Sequence, residues 1–296
     1  MKRFLMILLL LVTIVPSSLA QSRALFKDPL LRTDPDPFSK LSSTPSQPLD
    51  EKTDAIRYPD LNPAWNDFFQ KYGTRKLFYL EGWNKHVLLP GYPSNTSKRT
   101  RAELDYILGL QAKRTDQHVV DIRREENNGL DSLGWLLDEH FNLSKMPVTA
   151  SLFQHALEDV LEVQLILKKK YLRARPSALD PRIKPAIEIP PYPAYPSGHS
   201  TQMHVLACIC AELKPEGAAD FKREAFRVAW DREMAGIHFA SDTAAGQLLA
   251  SQLMDILHAN PKFLADLTDA KKEWTEIRMK KAEENAGSQN PKSQKP

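Results

Sequence analysis

The sequence predicts an all-α fold. Apolar residues recur at helical spacing from about residue 97 onward, and no stretch alternates between apolar and polar residues as a half-buried strand would. Capping residues and Pro or Gly stop signals divide this region into segments of ordinary helix length. We therefore expect a helical bundle that is preceded by an irregular N-terminal arm.

The first twenty residues have the pattern of a secretory signal peptide. Lys2 and Arg3 form a positive start, an apolar run covers 4–15, and Ser18-Leu19-Ala20 is a small-residue cleavage site. The apolar run is short for a bilayer span. We expect cleavage after Ala20 and a secreted or periplasmic protein, with an uncleaved N-terminal anchor as the alternative.

Composition divides the rest of the chain into three parts. Residues 21–64 are rich in Pro, Ser, Asp and Thr and predict an extended arm, with short packed pieces at most. Residues 65–281 form the predicted helical domain, and 282–296 a disordered polar tail. No apolar run after residue 20 reaches the length of a membrane span. The small net charge of +3 gives no reason to expect nucleic acid as a partner.

Within the helical domain, each helix is expected where an apolar period begins after a cap. The first expected helix begins near Ser97–Thr100 and runs past Ala112, and the pattern continues or restarts at Val119 and ends at Asn127-Asn128-Gly129. Further helices are expected over 133–141, over 151–172 with a stop at Arg175-Pro176, over 201–213, 218–237 and 243–258, and from Pro261 onward. Cys208 and Cys210 are predicted to be buried free thiols, because their spacing turns them to different helix faces.

The proline-rich segment 190–201 contains Pro196-Ser197-Gly198-His199, directly before an apolar helix. Its prolines hold the backbone extended, because each fixes its own φ and disfavours helix at the preceding residue. The helix start offers unpaired N–H groups and the positive end of the helix dipole. The segment therefore predicts an anion site at the start of this helix.

Two cations extend one face of the long helix over 151–172. Lys168 and Arg175 are seven residues apart, close to two full turns, so they share a face. Cations that continue a buried stripe are costly unless an anion meets them. The alternative is that both side chains extend into solvent. Solvent exposure is what we expect of the neighbouring cations Lys169, Lys170 and Arg173.

A third segment contains Arg232, His238 and Asp242. A carboxylate four residues after a histidine can hold its Nδ1–H, which leaves Nε2 free as a nucleophile or base. The alternative is an ordinary ion pair on a helix surface. On an ideal helix Arg232 lies about 120° from His238. Its side chain must therefore reach toward the histidine, or the helix must bend near Gly236.

The three segments, in this order, resemble the signature of the type 2 phosphatidic acid phosphatase (PAP2) superfamily. That group includes the bacterial class A acid phosphatases and the vanadium-dependent haloperoxidases. The matching patterns are Lys168-x6-Arg175-Pro176, Pro196-Ser197-Gly198-His199 and Arg232-x5-His238-x3-Asp242, which together span about a quarter of the chain. The family usually has Ser before the third-segment arginine, whereas this chain has Asp231, which could point away, orient Arg232 or weaken anion binding.

The resemblance implies a phosphate-binding set of five residues. Lys168, Arg175 and Arg232 would neutralise the phosphate oxygens, while Ser197 and the backbone N–H of Gly198 would add hydrogen bonds. It also implies a fold of the PAP2/haloperoxidase type for the predicted bundle.

The resemblance assigns catalysis to three further residues. His238 would attack phosphorus and form a phosphohistidine, Asp242 would hold the tautomer of His238, and His199 would protonate the leaving alcohol and then activate water. The implied activity is that of a phosphomonoesterase acting on a small phosphoester without metal or required cofactor, since three cations supply the charge. Tyr192 and Tyr195 could line the leaving-group pocket or simply pack, and His204 is expected to be a packed core histidine.

Two other functions stay open at this point. A vanadium-dependent haloperoxidase would hold vanadate between the same three cations, Lys168, Arg175 and Arg232, which we call the cation cage. The run from Pro190 to His199 looks close to that of these enzymes. Their chains are usually much longer, which favours the acid phosphatases. A non-catalytic anion-binding protein is the third class.

Overall fold

A computed structural model describes residues 31–59, 62–138 and 142–288. These residues contain ten α-helices, three short 3₁₀ turns and no strand, so the predicted all-α fold is confirmed. The helices are α1 Glu51–Asp54, α2 Pro63–Tyr72, α3 Lys98–Lys113, α4 Asp116–Leu137, α5 Pro147–Tyr171, α6 Pro176–Leu179, α7 Gly198–Leu213, α8 Ala218–Met234, α9 Ala240–Ala259 and α10 Pro261–Ser288.

Helix α7 lies at the centre of the bundle and contacts α4, α5, α8, α9 and α10. Apolar residues occupy most of its surface after the first turn, apart from a stripe of His204, Cys208 and Glu212, which is the pattern of a helix largely surrounded by others. Met203, Val205 and Ile209 are among its buried side chains. The start of α7, where Pro196–His199 lies, is therefore mounted on the most enclosed element of the fold.

Helix α5 ends at Tyr171, one residue before the predicted end, and it begins at Pro147, four residues before the predicted start. Leu172 takes the left-handed conformation, with φ 48°, and its N–H donates to the carbonyl of Lys168 at 2.9 Å. A left-handed residue is a common helix stop. The chain is non-helical from Leu172 to Arg175, and Pro176 begins α6 instead of ending α5. The side chains of residues 173–175 therefore do not point in the directions that a continued helix would give them.

A turn at Gly236 separates α8 from α9, whereas the sequence predicts one helix through residue 237. Gly236 has φ 76°, a conformation that L side chains rarely adopt. The turn folds back so that the N–H of His238 donates to the carbonyl of Arg232 at 3.3 Å. The bend near Gly236, one of the two arrangements that the sequence allows, therefore exists, and it places the backbone of His238 against that of Arg232.

Two other predicted boundaries differ from the structure. Helix α4 continues through Asn127-Asn128-Gly129 to Leu137, because the fold accommodates polar residues and glycine within a long helix. Helix α10 continues to Ser288, past the predicted start of the polar tail at residue 282. The predicted thiol burial is correct for Cys210 and wrong for Cys208, which is exposed.

The described part of the N-terminal arm packs on the bundle through polar contacts. Arg32 forms a two-point ion pair with Glu233 on α8, and Arg99 on α3 pairs with Asp36 at 2.6 Å. The N–H of Tyr58 donates to the carbonyl of Leu172 at 2.8 Å. The arm therefore has fixed attachment points, while the division into arm and domain stays a prediction. The predicted signal peptide, 1–20, lies outside the described residues.

None of the described helices combines the length and apolar character needed to cross a membrane.

Candidate active site

His238 and Asp242 form a buried pair at the start of α9. Nδ1 of His238 and Oδ2 of Asp242 are 3.1 Å apart, and Asp242 also accepts the N–H of Phe239 at 3.0 Å. An ionised carboxylate can only accept, so the shared hydrogen lies on Nδ1. Nε2 of His238 therefore carries a lone pair, which is the state that a nucleophile requires.

Arg173 holds Asp242 in the ionised state. The arginine is fully buried, and its Nη1 donates to Oδ1 of Asp242 at 2.5 Å and to Oγ of Ser241 at 2.8 Å. Burial by itself would raise the pKa of Asp242, but Arg173 and His238 outweigh it and hold the pKa below its usual range. The expectation that Arg173 extends into solvent is wrong, because α5 ends before it and turns it inward.

Arg175 faces the other nitrogen of His238. Its Nη1 donates to Nε2 of His238 at 3.0 Å and to the carbonyl of Ile237 at 2.7 Å, and its Nη2 donates to the carbonyl of Tyr192 at 2.9 Å. Burial and the positive charge of Arg175 lower the pKa of His238 to about 3. His238 is therefore a neutral imidazole across the physiological range.

Lys168 anchors the loop that leads into α7. Its Nζ donates to the carbonyls of Pro193 at 2.8 Å, Ala194 at 3.2 Å and Pro196 at 2.6 Å. Burial, and then Arg175, lower its pKa well below the usual value. An ammonium group has three N–H donors, and here all of them meet carbonyls. In this arrangement Lys168 shapes the loop and has no N–H left for another acceptor.

Arg232 is the cation with unused donors. Its Nη2 donates to Oε2 of Glu125 at 2.8 Å and to the carbonyl of Ile122 at 3.0 Å. Its Nε and Nη1 are buried without any hydrogen-bond partner. Leaving buried donors unpaired is costly, so a site with two of them on one guanidinium fits a ligand with two acceptor oxygens.

Ser197 and Gly198 begin α7 and join the second segment to the third. Oγ of Ser197 caps the helix by accepting the N–H of Ser200 at 3.4 Å, while the Ser197 N–H donates to the carbonyl of Asp242 at 3.0 Å. The first N–H groups of a helix have no partner within it, so those at Gly198 and His199 suit an anion. A Cβ at Gly198 would lie 3.4 Å from the amide of Gln164.

His199 lies half-buried beside the cations. Burial, Arg232 and His238 lower its pKa well below the usual value, and the nearby backbone of Glu125 acts in the opposite direction. An anion between these groups would offset the positive charge and favour protonation of His199. Such coupling suits a group that must hold a proton only when substrate is present.

The two tyrosines that the sequence left open differ in surroundings. The Tyr192 ring lies 5.3 Å from Nζ of Lys168 and 5.5 Å from the guanidinium carbon of Arg175, within cation–π range. Tyr195 is buried, donates its hydroxyl to the carbonyl of Pro90 and packs edge-on against Tyr171. Tyr192 therefore borders the cations, whereas Tyr195 belongs to the core.

The structure brings all eight predicted site residues together, while their catalytic roles stay predictions. His204, which is half-buried, lies outside this set: its Nδ1 is 2.7 Å from the carbonyl of Ser200 and burial lowers its pKa to about 4. The sequence reasoning missed Arg173 and Glu125, which contact Asp242 and Arg232 from other elements. Within the described ranges, no three His, Cys, Asp or Glu side chains are grouped to hold a metal ion.

A neutral histidine oriented by a carboxylate, beside buried cations, is an arrangement that could hold an oxyanion next to a nucleophile. Comparison with known proteins agrees. Residues 148–258 match the sequence model of the PAP2 superfamily. The match covers all three segments that resemble the superfamily signature, so the resemblance predicted from the motifs is confirmed.

Similar curated proteins include bacterial acid phosphatases. A non-specific acid phosphatase of Providencia stuartii is 30% identical over 115 residues, 38% of this chain and 46% of the relative. An acid phosphatase of Zymomonas mobilis is 36% identical over 85 residues, 29% and 32% of the two chains. This chain thus spans less than half the length of either relative. A non-specific acid phosphatase of Salmonella typhi is 25% identical over 202 residues, 65% and 81%.

A solved structure of the first bacterial vanadium-dependent iodoperoxidase has a similar fold. The TM-score is 0.52 at 16% identity, and the match covers 68% of this chain and 60% of that one. At this identity the similarity concerns the fold alone.

Proposed function

We propose that the protein is a phosphomonoesterase that hydrolyses small phosphate esters through a phosphohistidine. The observation that carries the proposal is the state of His238, whose Nε2 lone pair faces a buried cation while Asp242 holds Nδ1. The similarity to several acid phosphatases supports the same class of reaction.

The cation cage would bind the phosphoryl group of the substrate. Nε and Nη1 of Arg232 would donate to two of its oxygens, while Arg175 and Lys168 add positive charge and the start of α7 adds backbone donors. Arg175 would exchange its bond to Nε2 of His238 for one to phosphate oxygen. That exchange releases the nucleophile only when substrate is present.

The reaction then needs two displacements at phosphorus. Nε2 of His238 forms the P–N bond as the P–O bond to the alcohol breaks, and His199 gives its proton to the leaving oxygen. Asp242 stabilises the charge on the imidazole through Nδ1–H. His199 next takes a proton from water, which attacks phosphorus, breaks the P–N bond and releases inorganic phosphate.

Hydrolysis of an aryl phosphate by the purified protein, in the presence of a chelator, tests this proposal. We expect turnover, labelled phosphate trapped on His238 after acid-free quenching, and loss of both in His238→Ala. His204→Ala is the matched control, because His204 lies on α7 outside the cation cage, and it should retain activity. Full turnover in His238→Ala would overturn the mechanism.

Vanadate-dependent haloperoxidase activity is the second candidate, favoured by the fold similarity to an iodoperoxidase. Vanadate has the oxyanion character of phosphate, so the unpaired donors of Arg232 fit it equally, and the same cations with His238 would hold it. Bound vanadate would supply peroxide-activating chemistry. Oxidation of halide by the vanadate-loaded protein, without any phosphate release from esters, would replace the first proposal with this one.

We also propose that the protein is exported and that cleavage follows Ala20. The support is the pattern of residues 1–20 together with the similarity to acid phosphatases. A small-molecule ester is its proposed substrate, with no nucleic-acid partner and no required cofactor. The N-terminal sequence of the protein recovered from the producing cell tests the cleavage site, and an N-terminus at Met1 would contradict it.

A further inference from the structure

Asp231 stands directly before Arg232, at the position where the superfamily usually has Ser. Its side chain is buried, and its Oδ2 accepts from Nη1 of Arg227 at 2.5 Å. Adjacent helix residues do not share a face, so this carboxyl group lies behind Arg232 and outside the cation cage. Burying a carboxyl group costs free energy, so its presence directly behind Arg232 calls for an explanation other than packing.

Glu125 on α4 links Asp231 to Arg232. Its Oε2 accepts from Nη2 of Arg232 at 2.8 Å, and its Oε1 lies 2.6 Å from Nη2 of Arg227. The guanidinium of Arg227 therefore bridges the two carboxyl groups, since its Nη1 donates to Oδ2 of Asp231 at 2.5 Å. Two buried carboxyl groups held on one guanidinium repel each other when both are ionised, which favours one proton shared by the pair.

The proton decides the charge behind Arg232. Helix α8 supplies Arg227, Arg232, Glu224 and Asp231, with Arg227 and Glu224 paired at 2.6 Å, and α4 supplies Glu125. His199, at the start of α7, touches this group through the backbone of Glu125. With one shared proton, two cations balance two carboxylates. Without it, the same buried group carries one surplus negative charge.

The electrostatic surroundings favour the protonated pair. Burial and the neighbouring Glu125 raise the pKa of Asp231 well above its usual range. For Glu125, burial acts in the same direction, but Arg227 and Arg232 outweigh it and lower the pKa. Of the two acids, Asp231 is therefore the one that holds the proton more strongly.

We infer that Asp231 is a positioning residue that sets the phosphate affinity of Arg232 through the proton it shares with Glu125. While the proton is held, it partly offsets the negative charge of Glu125, and Arg232 keeps two donors free for phosphate. When the proton leaves, the added negative charge holds Arg232 more strongly and repels the phosphate. The inference rests on the proposed function, because it takes phosphate as the ligand of Arg232.

A thermodynamic consequence makes this testable. Phosphate binding and protonation of the pair favour each other, so the dissociation constant for phosphate must rise as the pair loses its proton. In a variant with a permanently neutral residue 231, the dissociation constant for phosphate lacks this contribution to its pH dependence. Dividing the wild-type constant by the variant constant at each pH cancels the ionisation of phosphate and of His199 and His238.

The experiment measures binding of inorganic phosphate to the full chain by calorimetry between about pH 5 and pH 8. Asp231→Asn mimics the protonated acid, and Asp231→Ser is a second neutral variant with no added volume. Circular dichroism and thermal melting identify the variant that is folded. Asp269→Asn, which neutralises an exposed carboxylate paired with Lys272 on α10, controls for net charge.

We expect the ratio of the wild-type to the Asp231→Asn dissociation constant for phosphate to rise about tenfold across this range. One added negative charge about 10 Å from the phosphate, at an effective dielectric constant of about 20, weakens binding by roughly this factor. The Asp269→Asn ratio should stay near one. A constant ratio for Asp231→Asn, with phosphate bound by both proteins, overturns the inference and leaves the proposed function intact. If neither protein binds phosphate at any pH, both fail.

Discussion

The cations on the two sides of the cation cage are held by different kinds of partner. On one side, Lys168 and Arg175 are held by neutral groups, mainly the backbone carbonyls of residues 192–196 and 237. On the other, Arg232 is held by the carboxylate of Glu125 and one carbonyl, with two donors left unpaired. The carbonyl side shapes the site without opposing an anion. The carboxylate side is the part whose hold on an anion can vary.

Removing Arg232 should have the largest effect of the changes that separate the two sides. Arg232→Ala deletes the guanidinium whose Nε and Nη1 have no hydrogen-bond partner, and it leaves Glu125 and Asp231 with one cation fewer. We expect kcat/KM for an aryl phosphate to fall by about a thousandfold. Arg182→Ala, which removes an exposed arginine paired with Asp180, should leave it unchanged. A loss below tenfold would mean that the carbonyl side binds the phosphate alone.

Removing Lys168 should act through the loop as well as through charge. Lys168→Met keeps the volume of the stem but leaves three buried carbonyls without their donor, so the entry to α7 should shift. We expect about a hundredfold loss of kcat/KM and about 2 kcal/mol in the free energy of unfolding. Lys169→Met changes the exposed neighbour and serves as the control in kinetics and urea titration. Loss of activity at unchanged stability would contradict the anchoring role.

Acid should destabilise the protein through the His238–Asp242 pair. Both folded pKa values are lowered, to about 3 for His238, so the unfolded chain takes up these protons first as pH falls. The stability from His238 is complete above its unfolded pKa of about 6.5 and is lost as pH falls toward 3. The corresponding loss for Asp242 begins below about 3.9.

In the interval between about pH 6 and 4, His238→Gln should therefore reduce the slope of unfolding free energy against pH by up to about 1.4 kcal/mol per unit. Urea titrations at several pH values measure this slope. His204→Gln provides a comparison with a second histidine whose pKa burial lowers, to about 4. An unchanged slope in His238→Gln would show that His238 is protonated in the folded state.

The smallest expected effect concerns the turn that brings both sides together. Gly236→Ala places a Cβ at φ 76° and 3.1 Å from Cγ2 of Ile183, which should cost about 1–2 kcal/mol in the free energy of unfolding. Gly109→Ala, at an exposed helical glycine with open space around it, should instead stabilise by about 1 kcal/mol. Thermal melts compare them directly. Equal stability of the two variants would contradict the strain at Gly236.

The residues nearest the proposed chemistry could be predicted from sequence because their spacing is tied to local structure. Ser197 ends an extended proline-rich run and caps a helix, and His238 and Asp242 lie within one turn at the start of another. Even the bend near Gly236 is one of the two arrangements that follow from the angle of about 120° between Arg232 and His238 on an ideal helix. These features depend on neighbours in the chain.

The partners behind the site could not be predicted, because they depend on tertiary contacts. Glu125 reaches Arg232 from another helix, and nothing in its own segment marks it as a partner of an arginine so far along the chain. Arg173 was expected in solvent because helical periodicity was extended past Leu172, where the backbone becomes left-handed. The same reasoning ended α4 at Asn127-Asn128-Gly129, although packing carries that helix further.

The polar contacts of the N-terminal arm connect to the candidate site through alternating charges. Asp36 pairs with Arg99, which lies 3.6 Å from Glu103, and Glu103 faces Arg173, the partner of Asp242. A recombinant protein shortened past Asp36 would keep all ten helices of the described chain. It would nevertheless lose the outermost link of this series, so expression boundaries chosen from helix positions alone would remove part of the support of the proposed nucleophile.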